Sequence, residues 1–333
     1  MSKTPDHSGA ITRRRVVTAT AAASLSILAG RATAQTYPAR SIKLIAPFAA
    51  GGATDLIARL IAQHLSARLA TNVVVENRTG GGGTIATKAA ASADPDGYTL
   101  LVATNGPFAI GPAIYRNVGY DPVKSFAPIA FLAGAPDAIV VRPDLPVTTL
   151  AELIAHAKAN PGKLHYGGGL GTPPHVIGEW LKAKTGADIL YVPHRGGAPA
   201  LTDLLGGHTQ VGIEILHPLL PYIQEGKLRA LAVTSLTRRR ELPDLPTLAE
   251  SGFPGQSFSA WFGLVAPPGT PQEIIAKLNA ATNESLASEE VKRDLAKIGF
   301  ESNIGSPQDF AAYITQEMGN WADKVQTAGI KID

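Results

Sequence analysis

Glycine, used through its backbone, is the residue type with which this chain is best equipped to bind something. The stretch Pro47-Phe48-Ala49-Ala50-Gly51-Gly52-Ala53-Thr54-Asp55 lies between a short apolar run, Ile42 to Ala46, and a segment in which Leu56, Ile57, Leu60, Ile61 and Leu65 recur at helical spacing. A strand, a glycine loop and a helix start leave backbone N–H groups without intrahelical acceptors, and the positive end of the helix dipole reinforces them. Such a loop binds an anion, a carboxylate or a phosphate, with no cationic side chain. The device recurs about 120 residues later, where Gly167-Gly168-Gly169-Leu170-Gly171-Thr172 is followed by Pro173-Pro174, at the helical first turn that tolerates proline. Facing each other across a cleft, the two loops could hold the two ends of one small anion.

Around the first loop the expected contacts are the backbone of Ala50, Gly51 and Gly52 and an apolar wall from Phe48. Thr54 is either a cap or a ligand contact. Asp55 is in tension with an anion site; it reads either as a helix-capping carboxylate or as the partner of a ligand ammonium. In the second loop the candidates are Gly169, Thr172 and His175, the last either donating to a carboxylate or held neutral by its place at a helix N-terminus. Arg195, with Gly196 beside it, is the candidate for a bidentate ligand contact or else a surface arginine. Glu214, at a strand end, balances Arg195 or recognises a hydroxyl or amine. Asn105 is a candidate polar contact, and Gly80 to Thr84 is either a third anion nest or a site of close helix–sheet packing.

Enzyme chemistry finds no comparable support. The chain has no Gly-x-Ser-x-Gly elbow, no His-Glu-x-x-His and no Gly-x-x-x-x-Gly-Lys-Ser/Thr. His165 and His175 have poor metal-ligand spacing, and nothing in the sequence assembles His194, His208 and His217 into a site. No catalytic residue, metal or cofactor is expected.

The elements that must carry these loops alternate. Strands are expected at Ile42 to Ala46, Val73 to Glu76, Tyr98 to Ala103, Ala138 to Val141, Lys163 to Tyr166, Ile189 to Val192, Val211 to Ile215 and Leu228 to Val233. Helices are expected at Thr54 to Ala70, Ile85 to Ala91, Thr149 to Ala159, from Pro173 onward, Ala198 to Leu205 and Leu219 to Glu225. This order implies an α/β fold of mainly parallel sheets flanked by helices, with the loops at the carboxyl ends of strands gathered into a crevice. Crossovers near Arg142 and at Phe258 to Leu264 make the second domain an insertion in the first. The tail is helical over Pro271 to Ala287, Glu289 to Ile298 and Pro307 to Ala328. In its last helix Phe310, Ile314, Trp321 and Val325 form one core-facing stripe.

At 333 residues with 45% hydrophobic content, two domains are the natural prior. The formal charge of +3 is misleading, because it sits in the leader. Arg13-Arg14-Arg15, an uncharged run to Gly30 and Ala32-Thr33-Ala34 read as a signal peptide over residues 1–34. The arginines match a twin-arginine signal loosely; an ordinary Sec signal is the alternative. Without that segment 25 basic and 26 acidic side chains remain, a net charge of −1, and nucleic-acid binding loses its support. Arg238-Arg239-Arg240 reads as a solvated loop. With no cysteine there is neither disulfide nor lipoprotein anchor, and no later run reaches the roughly 18 apolar residues of a membrane span. A monomer in the periplasm is expected.

From Tyr37 onward the chain resembles the Bug-type periplasmic solute-binding proteins, the receptors of tripartite tricarboxylate transporters. The resemblance rests on Ala50 to Asp55 with Arg59, Val75-Glu76-Asn77-Arg78 with Gly80 to Thr84, Pro95 to Thr99, Gly171-Thr172 with His175 and Glu179, Pro199-Ala200-Leu201, Gly226 to Ala232, Pro246-Thr247 with Glu250, and Ala266-Pro267 with Gly269-Thr270-Pro271. It implies a two-lobed, type II Venus-flytrap fold, with lobe 1 over residues 35–140 plus 262–333 and lobe 2 over 141–261. It further implies capture of a carboxylate-bearing solute and its delivery to a membrane permease. Departures fall where specificity is set: Pro193-His194-Arg195-Gly196 where the family often has Pro-Tyr-Lys-Gly, Glu214 where Asp is common, and extra glycines at Gly167 to Gly169. Two rival readings remain, a receptor that presents its solute to a membrane sensor and an exported hydrolase on the same fold.

Overall fold

The computed structural model describes residues 1–4 and 37–332. Apart from its first four residues, the expected signal peptide lies outside the described residues. Strand β1 (Ile42–Ala46) is hydrogen-bonded on both sides, to parallel partners β2 (Val73–Asn77) and β3 (Thr99–Thr104). A strand inside a parallel sheet is covered on both faces, which is why the sequence there is nearly unbroken apolar rather than alternating. Helix α1 (Ala53–Leu69) follows, burying Ile57, Ala58, Ile61, Ala62 and Leu65 on one stripe. Helix α2 (Thr84–Ala91) leads to β3, and a π-helical turn at Gly106–Ile110 and the short α3 (Gly111–Ile114) follow it.

Sequence and structure part company most at β4. The expected strand at Ala138 to Val141 is the end of a 15-residue strand, Ala127–Val141. Its first part carries Pro128, Gly134, Pro136 and Asp137, all residues that disfavour strands. It is held by antiparallel pairing to β9 (Ser259–Ala266), from Ala127 opposite Ala266 to Pro136 opposite Ser259, with two register shifts that accommodate the irregular residues. At Pro136 the partner changes. From Asp137 onward β4 pairs with β7 (Val211–Ile215), and from Ala138 also with β8 (Arg229–Val233). A proline, which has no N–H to donate, is suited to the point where one ladder stops and another begins.

The second half contains α4 (Leu150–Ala159), β5 (Leu164–Gly169), α5 (Pro173–Thr185), β6 (Ile189–His194), α6 (Gly197–Gly206) and α7 (Leu216–Gln224). The strand order is β2-β1-β3-β9-β4-β7-β5-β6, with β8 on β4. The outer pairs are parallel, as the alternation of strand and helix requires, while β9 and β4 run antiparallel through the middle. The glycines Gly167, Gly168 and Gly169, expected in a loop, extend β5 opposite Val192, Pro193 and His194.

Three helices close the chain: α8 (Gln272–Ala287), α9 (Glu289–Lys297) and α10 (Pro307–Ala328). The Ser306–Asp309 capping box forms in full, Asp serving in place of Glu. The stripe on α10 is core packing, as expected, and it serves both halves. Phe310 and Ile314 pack with Phe108 and Trp261, while Trp321 and Val325 pack with Trp180 and Phe258.

Candidate functional site

One cavity, about 600 Å³ of empty space including its mouth, lies between the two halves of the sheet. Phe48, Gly52 and Thr54 line it from the first loop, and Asn105 from the end of β3. Gly169, Thr172, Gly196 and Glu214 line it from the second half. The two loops read from the sequence thus meet. The halves approach backbone to backbone: a Cβ at Gly106 would lie 3.1 Å from the carbonyl oxygens of Gly82 and Gly171. Gly196, at φ +140°, rests against Phe48, within 3.6 Å of where its own Cβ would stand. The contact distance is ordinary; it is the φ, one that L side chains rarely adopt, that calls for glycine.

Four helix N-termini converge on this space. The residues preceding α1, α5, α6 and α7, namely Gly52, Thr172, Gly196 and Ile215, all line the cavity. Their dipoles place positive potential there, and the first-turn N–H groups of α1 have no intrahelical acceptor. The second loop contributes differently from the first, since Pro173 and Pro174 remove two of the donors of α5. Among the described residues no Lys, Arg or His lines the cavity.

Five candidates from the sequence stand outside the lining: Ala50, Gly51, Asp55, His175 and Arg195. Asp55 is buried and holds the loop. Its Oδ2 accepts from the Gly51 N–H at 2.9 Å and from Arg59 Nε at 3.0 Å. Burial opposes its ionisation, but these bonds prevail and keep the carboxyl below its ordinary range. The Gly51 N–H is therefore engaged by the protein itself. His175 is stacked on Tyr191, with ring centroids 4.1 Å apart, and its Nδ1 accepts from the Gly171 N–H at 3.3 Å. Burial pushes its pKa down to about 4, so the ring is neutral. Arg195 is exposed. Asn105 lines the cavity, but both ends of its amide are occupied: Nδ2 donates to the Ser259 carbonyl at 3.1 Å and Oδ1 accepts from the Trp261 N–H at 2.7 Å. It fixes β9 at the crossover. The glycines Gly80 to Gly83 all have positive φ; Gly82 abuts Leu170 and Gly83 abuts Pro47, Phe48 and Pro107, while Gly80 and Gly81 turn against Ile85 and Thr84 of the helix that follows.

Sequence reading missed one acidic residue of the lining, Asp137. It is 0% exposed, and neither carboxyl oxygen has a hydrogen-bond partner. Burial, with Glu214 nearby, pushes its pKa well above the ordinary carboxylate range. Burial likewise pushes Glu214 up to about 7, against the bond its Oε1 accepts from the Ile215 N–H at 3.0 Å. An acidic residue between Pro136 and the apolar run Ala138 to Val141 is the signal that could have found Asp137. The histidines do not gather into a metal site: His194 is bonded to Asp203 at 2.7 Å and to the Val192 carbonyl. Among the described residues His64, Glu290 and Asp294 come within metal-ligand spacing of one another, but none lines the cavity and Asp294 is paired with Lys297.

Comparison with known proteins agrees with this architecture. Residues 57–330 match the model of the tripartite tricarboxylate transporter family receptor. The chain is 38% identical to Protein BugT of Bordetella pertussis over 92% of this chain and 94% of that one. Among solved structures, the periplasmic binding protein BugD superposes with a TM-score of 0.84 at 38% identity, covering 89% of this chain and 99% of that one. A Rhodopseudomonas palustris protein solved with adipate gives 0.85 at 40% identity, covering 89% and 99%. MatC of the same species, solved with bound malate, gives 0.83 at 33% identity, covering 87% and 100%. With this cavity on a two-lobed periplasmic-binding-protein fold, and with the family model matched along most of its length, the chain belongs to the tripartite tricarboxylate transporter receptor family of solute-binding proteins.

Proposed function

We propose that this receptor, once exported to the periplasm, closes on one small carboxylate-bearing solute and delivers it to the membrane subunits of a tripartite transporter, performing no chemistry itself. The observation that carries the reading is the convergence of four helix N-termini on a cavity that, among the described residues, has no cationic side chain. A carboxylate is the group such a site stabilises best, through backbone donors and aligned dipoles. The adipate and malate held by two solved relatives are of the same chemical class. Closure is assigned to the two places where the chain passes between halves, Pro136–Asp137 in β4 and Phe258–Ser259 ahead of β9, because sheet partners change there. The lobes then meet at those points, a few residues before the boundaries expected at 140/141 and 261/262. Among the described residues no helix is long and apolar enough to cross a membrane. The receptor acts as a monomer.

The test is a thermal-shift screen of dicarboxylates, aromatic acids and amino acids on protein stripped of co-purified solute. A true ligand at a hundredfold excess over its Kd stabilises the fold by about 2.7 kcal/mol. If no carboxylate in the screen raises the melting temperature, the proposal fails.

A further inference from the structure

Away from the cavity, three side chains able to ligate a metal come together between two helices. His64 is supplied by α1, and Glu290 and Asp294 by α9; one ligand atom of each lies within 4.8 Å of the other two. Glu290 and Asp294 are four residues apart, so they stand on one face of α9, a turn from each other. Among the described residues His64 makes no hydrogen bond, and its Nε2 is buried without a partner. In the tautomer protonated at the other ring nitrogen, Nε2 presents a lone pair. Glu290 likewise forms no hydrogen bond or ion pair among the described residues. Asp294 has one ion pair, with Lys297, a lysine 73% exposed and therefore a weak competitor. The nearby cations Lys292 and Arg68 are held by Glu289 and Glu284. The helix dipole accounts for Glu290 in the first turn of α9, but not for Asp294 a turn later, nor for an imidazole beside both.

We propose that His64, Glu290 and Asp294 bind a divalent transition-metal ion of the zinc class, which staples α9 to α1. A neutral imidazole and two carboxylates together carry the charge that a divalent ion neutralises. The imidazole sets the site apart from those of calcium and magnesium, which take oxygen ligands. Zinc accepts this mixed set and completes a tetrahedron with water. Its ligand atoms then stand about 3.4 Å apart, which the exposed Glu290 and half-buried Asp294 reach by side-chain rotation. A staple has a purpose here. Helix α9 is nine residues long, and its buried side chains are Val291 and Leu295; a helix shorter than about 12 residues is marginal without tertiary support. The site is also distinct from that of the solute, because ten residues of α1, about 15 Å, separate the cavity-lining Thr54 from His64.

Thermal shift and calorimetry on the full chain, freed of solute and of metal by dialysis against a chelator, would use zinc chloride as the probe and magnesium and calcium chlorides as controls. Zinc should bind one ion per chain and raise the melting temperature, and the controls should leave it unchanged. His64→Gln and Glu290→Gln should each weaken zinc binding by at least about tenfold, a loss that even outer-shell partners produce. Their metal-free melting temperatures should match the wild type, which separates loss of the site from loss of the fold. Hydrogen exchange on the wild type locates the ion without any substitution: zinc should slow exchange in α9 and in α1 around His64. Absence of a zinc-induced shift overturns the inference. So does zinc affinity unmoved by both substitutions, which means adventitious binding at other histidines, or an equal shift with magnesium or calcium, or protection that falls outside α1 and α9.

Discussion

Replacing Asp55 with alanine separates a loop anchor from a ligand contact. In the native fold this side chain, 4% exposed, accepts from the Gly51 N–H at 2.9 Å and from Arg59 Nε at 3.0 Å. A hydrogen bond to an ionised acceptor contributes about 1.5–3 kcal/mol, and the lower part of that range applies here because Gly51 is exposed. The Arg59 pairing adds little, because the arginine is 56% exposed and screened. Relief of the unpaired Oδ1 offsets part of the loss. The net destabilisation expected is about 2 kcal/mol, or about 4 °C in Tm for a domain of this length. Ligand affinity should fall by about tenfold as well, since the loop loses its pre-organisation. Urea denaturation and calorimetry measure the two effects. The dependence on pH has a definite sign: the folded carboxyl titrates below its ordinary value of 3.8, so its contribution is present above that pH and fades as pH falls through the lowered value. The difference between wild type and variant should therefore narrow in acid. Unchanged stability together with a large loss of affinity would refute the anchoring role and place Asp55 on the solute.

Three further outcomes follow from the same geometry. Gly197→Ala puts a methyl group where the Glu214 carboxylate lies, so calorimetry should show weakened solute binding while far-UV circular dichroism stays as in the wild type. His175 titrates near 4 in the fold, against an ordinary 6.5, so its neutral form stabilises the fold above pH 6.5 and that contribution, about 3 kcal/mol, is lost on descending towards pH 4. His175→Gln should flatten that part of the pH–stability curve, and an identical slope in both proteins would count against a buried neutral ring. At Gly263 an added Cβ would overlap the Phe310 ring; Gly263→Ala should cost about 1–3 kcal/mol by overpacking, with part of the loss recovered in the double variant carrying Phe310→Leu.

Much of the fold was legible in the sequence, because periodicity and turn chemistry are local. Ile42 to Ala46 declared itself a buried strand by its apolar run, and Val211 to Ile215 likewise. The helix from Pro307 was marked at one end by its capping box and along its length by the Phe310–Val325 stripe. The first half of β4 was not legible. Pro128, Gly134 and Pro136 argue locally for a loop, and only pairing with β9, more than 120 residues away, makes the segment a strand. The candidate site divides the same way. Gly52, Thr54, Gly169, Thr172, Gly196 and Glu214 came from strand–loop–helix patterns and do line one cavity. The roles of Asp55, His175 and Asn105 depended on which partner stood within 3.5 Å, and no spacing rule contains that.

By itself, then, the sequence determined the alternation of strands and helices and the two glycine loops, since backbone N–H groups at a helix start and the absence of a Cβ are properties of the local chain. Tertiary structure decided which groups are left for a solute. Gly51 is engaged by Asp55, Pro173 and Pro174 silence part of the second loop, and Asn105 is bound to β9. Asp137, unremarkable in the sequence, becomes a fully buried acid with two unpaired oxygens. The reason is desolvation: a polar group acquires its cost, and its use, only when distant elements close over it and either supply a partner or leave that place for the ligand.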